Sequence, residues 1–173
     1  QILAMQLPSQ VGWLGLMTAA VLSSILSVIS TKMLGGELLP GYEKLVANPL
    51  VFAVSQWALL LFGVMLIVVL GRKMGGRGSF ADALILAVWL EAILIAIQVA
   101  QLIVMIVSPM LGFLIGVASI VVFFRVLSNF IAELHGFKSA GKVLGMVLLT
   151  FLVLSFVLAL SGFGFTAEEL SGV

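Results

Sequence analysis

The sequence predicts an all-α polytopic membrane protein, a bundle of five transmembrane helices, and three observations carry that prediction. Only 9% of its 173 residues are charged, 63% are hydrophobic, and the mean hydropathy is +1.36. A soluble domain carries about 25% charge, so this chain has too few charges to cover a surface facing water. Five segments are apolar over the roughly 20 residues that cross a hydrocarbon core of about 30 Å. The prolines, and most of the glycines and charges, lie outside those segments.

Composition also narrows the function. A net charge of +1 gives no clustered basic face for nucleic acid. The absence of cysteine excludes disulfides, thiolate metal sites and cysteine nucleophiles. One histidine, His135, cannot build a metal site by itself, and no motif points to a cofactor. The chain begins at Gln1 rather than Met, so a preceding piece is expected. Its start lacks the basic region and cleavage site of a signal peptide.

A single domain of five spans follows in order. The first, about Val11–Met33, starts after Pro8 and Ser9 and carries Ala20, Ser23, Ser24, Ser27 and Thr31 at steps of three and four. Small residues at that spacing let a second helix approach closely; the hydroxyls can equally bond back to their own backbone. Gly35 and Gly36 end this span, and Tyr42–Asn48 is expected to form a short helical turn along the interface. The second span, Leu50–Leu70, has Gln56 and Trp57 near its start. Trp57 is either a headgroup-level anchor or ordinary packing. Four glycines and Arg72, Lys73 and Arg77 then form a loop, and Ser79 with Asp82 reads as a capping box. The third span, Phe80–Val107, is the most polar inside, with Glu91, Gln98 and Gln101. Ser108 and Pro109 make a tight turn into the fourth, Met110–Leu134, which holds Gly112, Gly116, Arg125 and Asn129 and stops at Gly136, an expected C-cap. The fifth, Ser139–Leu160, opens with Gly141 and Gly145, a second small-xxx-small pair like Gly112 and Gly116.

Neither glycine run is a phosphate loop. Gly75-Gly76-Arg77-Gly78 lacks a following Gly-Lys-Ser/Thr, and Gly141-Lys142 is followed by Val143. Both read as turn or packing glycines. Lys and Arg accumulate in short cytoplasmic loops. Arg72, Lys73, Arg77, Lys138 and Lys142 all fall on one side of a five-span chain, whereas Lys32 and Lys44 are offset by Glu37 and Glu43. The rule places the N-terminus in the cytoplasm and the C-terminus outside.

Charges at membrane depth are costly and are usually paired. Glu91 on the third span and Arg125 on the fourth both lie roughly 13 Å from the inner surface at about 1.5 Å per residue. With a tight turn joining the spans, a Glu91–Arg125 ion pair is expected, supported by Asn129. Gln98, Gln101 and Gln56 share a second depth where another polar contact is expected. Such a pair either lines an ion or proton path or cements two helices in register, and the lack of further ionisable groups on the other spans favours cement. His135, two residues after Glu133, is expected to be solvated or to cap the helix rather than to sense pH.

Two stretches resemble a known family. Gly75–Leu84, GGRGSFADAL, is similar to the loop and helix start that open the third span of Yip1-domain membrane proteins. Asn129–Phe137, NFIAELHGF, resembles the end of their fourth span, where a His-Gly pair precedes a basic loop. The likeness runs from about Pro8 to Leu160 and is nearest to short alphaproteobacterial members, which implies a bacterial inner membrane. Many members have Tyr and Pro early in the third span; Trp89 and Glu91 stand there in this chain. The resemblance implies five spans and no catalytic residues. Eukaryotic members act in vesicle traffic and bind small GTPases through a cytoplasmic part that has no match in this chain.

Two functions follow from these readings. The first is a non-enzymatic scaffold or accessory subunit that joins other membrane proteins, as a homo- or hetero-oligomer, through the small-residue faces Ser23/Ser27, Gly112/Gly116 and Gly141/Gly145. The alternative is a small transporter, channel or lipid-handling protein with a polar interior around Glu91 and Arg125. An intramembrane enzyme has little to work with, since no paired carboxylates stand at depth.

Overall fold

The computed structural model describes residues 9–34 and 47–160. Five helices appear in order: α1 (Ser9–Leu34), α2 (Pro49–Lys73), α3 (Phe80–Val107), α4 (Pro109–His135) and α5 (Ala140–Leu160). All five are long and apolar enough to cross a membrane, and the described residues include no strand. The expected interfacial turn at Tyr42–Asn48 lies almost wholly outside the described residues.

The helix ends follow from local chemistry. Asn48 caps α2 by accepting from the Val51 N–H at 3.3 Å, with Pro49 in the first turn, where a missing N–H costs nothing. Ser79 caps α3: its hydroxyl accepts from the Asp82 N–H at 3.1 Å and donates to the Asp82 carboxylate at 2.6 Å. Ser108 serves two helices at once. Its N–H closes α3 on the Val104 carbonyl, and its hydroxyl caps α4 through the Leu111 N–H. Gly136 ends α4 in the left-handed region at φ 72°, as the sequence predicts.

The tight turn at Ser108 makes α3 and α4 antiparallel neighbours. The α1 helix runs parallel to α3, with Gly12 against Leu84 at one end and Ser27 against Gln98 towards the other. The core sits among α1, α2 and α3 around Leu16, Val64, Val68, Ala83, Leu84 and Leu86, with Leu134 from the end of α4. A second cluster joins α3, α4 and α5 through Leu90, Leu127, Ile131, Ala132 and Val143. In α5 Val143 alone is buried, and this helix meets α4 through Phe151, which stands edge-on to Phe123 and Phe124 at 6.2 and 5.4 Å. Trp57 packs with Trp13 at 6.2 Å, and its buried indole N–H has no hydrogen-bond partner among the described residues. A headgroup anchor keeps that N–H in water, so Trp57 is a packing residue.

Candidate functional site

The interior polar residues form two contacts between α1 and α3. Glu91 is 7% exposed and accepts from the Ser23 hydroxyl at 3.1 Å. About two turns along, the Gln98 amide donates to the Ser27 hydroxyl at 3.4 Å. The small-residue stripe of α1 is thus turned inward, with Leu16, Ala19, Ala20, Ser23 and Ser24 all buried.

The expected Glu91–Arg125 ion pair is not formed. Arg125 is exposed, and the described residues contain no partner for it. The reason is azimuth rather than depth. On α4, the side facing α3 is marked by Gly112, packed on Met105, and by Gly116, packed on Gln101. Arg125 lies about two and a half turns beyond Gly116 and so points to the opposite side. Asn129 does not support Glu91 either: its amide is exposed and donates to the Arg125 backbone carbonyl at 2.7 Å. Gln98 bonds Ser27 rather than Gln56, which stands half-buried on α2. Of the proposed packing pairs, Ser23/Ser27 and Gly112/Gly116 are occupied inside the chain, whereas Gly141 and Gly145 are exposed, with open space beside Gly145.

His135 corrects a second expectation. It is 3% exposed, neither solvated nor a cap. Its Nδ1 accepts from the Gly78 N–H at 3.1 Å, so that nitrogen carries a lone pair, and Nε2 lies 3.1 Å from the Ile67 carbonyl, to which its N–H donates. The ring is therefore the neutral Nε2–H tautomer. It stacks on Phe137 at 5.5 Å and fills a cradle of Gly71, Gly76 and Gly78. A side chain at any of these glycines would run into the ring or, at Gly78, also into Leu134. Arg72 secures the loop from outside, its Nε donating to the Gly78 carbonyl at 3.0 Å. The signal for this site was present in the sequence, in a glycine-rich loop and one lone histidine, but nothing in the spacing linked positions 57 residues apart.

The two motif stretches therefore meet in one contact. A family comparison matches the Yip1 domain over residues 2–161. The chain belongs to the Yip1 domain family. Within this Yip1 domain the Gly-Gly-x-Gly loop and the His-Gly pair are the two halves of the His135 cradle, which ties the α2–α3 loop to the end of α4. That contact also brings Arg72, Lys73 and Arg77 to the same end of the bundle as Lys138 and Lys142, all of them exposed. No curated protein and no solved structure matches the chain.

Proposed function

We propose that this Yip1-domain protein is a non-enzymatic scaffold or accessory subunit of a bacterial inner membrane, with its N-terminus cytoplasmic and its C-terminus periplasmic. One observation carries the reading. Each of the buried polar residues Ser23, Ser24, Glu91, Ser128 and His135 already has a hydrogen-bond partner on a neighbouring helix or loop or on its own backbone. Ser23, Glu91 and His135 join neighbouring elements, and Ser24 and Ser128 bond back to their own helices, which supports a structural role for these groups. The one-sided burial of α5 and the open glycines Gly141 and Gly145 support association with other membrane proteins. Cross-linking in native membrane followed by purification in mild detergent tests this: a complex larger than the monomer is expected, and a lone monomer contradicts it.

A second reading, lipid handling, draws on a cleft of about 390 Å³ lined by Gln98, Gln101 and Ser119 among apolar side chains. A photoactivatable phospholipid that labels Ile97 or Ile120 in native membrane would favour it, whereas labelling spread evenly over all exposed helix faces would not.

A further inference from the structure

We infer that the outer face of α4, centred on Arg125, is the docking surface for a transmembrane helix of a different membrane protein, which presents a carboxylate at the depth of Arg125. This rests on the scaffold reading and assigns it a surface. Leu114, Ala118, Val121, Arg125 and Asn129 recur at steps of three and four, and all are exposed. Arg125 stands ten residues from one end of α4 and sixteen from the other, or about 15 and 24 Å along the axis. A core of about 30 Å therefore encloses it well inside the hydrocarbon. Ionisable groups at such depth face a protein interior or water and pair with another group. Among the described residues, Arg125 finds neither.

No described carboxylate stands opposite Arg125. Glu91 faces α1 and is bonded by Ser23, and Asp82 is bonded by the Ser79 cap. Glu133 lies about two turns nearer the helix end and makes no ion pair. A second copy docked through the same α4 face would set its own Arg125 against this one, and the described carboxylate it has at this depth, Glu91, is buried. A foreign carboxylate instead matches the five-donor fork of Arg, and Ala118 allows the close helix approach such a pair needs. The competing occupant is a lipid headgroup reached by the long side chain bending to the interface.

The test is zero-length cross-linking of Arg125→Lys in native membrane with an apolar carbodiimide, which joins an amine to a carboxylate in contact. The expected product links position 125 to an Asp or Glu within an apolar segment of another protein, and Arg125→Leu gives none. A link only to phospholipid, to any Asp or Glu of this chain, or to nothing in a folded variant overturns the inference. If the Lys variant still purifies in a larger complex without this link, the surface assignment fails and the scaffold reading stands; a lone monomer removes both. Arg125→Leu also reports on the fold: the purified monomer is expected to unfold at the wild-type temperature, and a lowered midpoint would give Arg125 an internal role and overturn the inference.

Discussion

The inner face of α3 and the outer face of α4 each carry a charge at nearly the same depth, and they treat it in opposite ways. Glu91 is enclosed, with its carboxylate bonded across to Ser23 of α1. Arg125 is exposed, with no ion-pair partner among the described residues and a neighbouring Asn129 that bonds only backbone. The lesson is that depth and direction are separate properties of a buried helix. Two residues can share a level and still face half a turn apart. A charge turned inward ties the bundle together, while the charge turned outward finds no partner among the described residues.

The same contrast divides the bundle as a whole. The α1–α2–α3 side holds its helices by close approach and buried hydrogen bonds, and the His135 cradle locks one end of it to α4. On the other side α5 rests on α4 through rings at its middle and buries little else. Substitutions in the first region are expected to lower stability, and those in the second to leave the isolated chain almost unchanged.

The largest effect is expected at the cradle. His135→Ala removes a buried ring and leaves the Gly78 N–H and the Ile67 carbonyl without partners, so a loss of about 3–5 kcal/mol is expected in detergent unfolding. Gly71→Ala comes next, because the new methyl meets the His135 ring; overpacking of this kind costs about 1–3 kcal/mol. A near-wild-type result for both would mean that the cradle does not hold the loop. Ser23→Ala strips Glu91 of its hydroxyl donor and is expected to cost about 1–3 kcal/mol, most of it recovered when Glu91→Leu is added and both polar groups are gone. If the double variant is as unstable as Ser23→Ala alone, the bond is not the source of the loss. Smallest is Arg125→Leu, expected within about 0.5 kcal/mol of wild type in the isolated chain.

Much of the architecture was legible before the structure. Span number, the Ser108 turn, the Ser79 and Gly136 caps and the gathering of basic loops at one end depend on run length and local chemistry, which a sequence carries directly. The depths of Glu91 and Arg125 follow from rise per residue. Their directions do not, because the azimuth of each helix is decided by where Gly112 and Gly116 let α4 settle on α3. The α1 hydroxyls were recognisable as a packing stripe, but whether that stripe met this chain or another was a matter of tertiary packing. His135 was misread for the same reason. A histidine at a helix end looks solvated until the glycines far back in the chain are folded over it.

The most direct measurement compares the unfolding midpoints of the purified protein in mild detergent with Ser23→Ala and with Arg125→Leu. The account predicts a clear drop for Ser23→Ala and no change for Arg125→Leu. A drop for Arg125→Leu with none for Ser23→Ala would reverse the roles assigned to the two charges and contradict it.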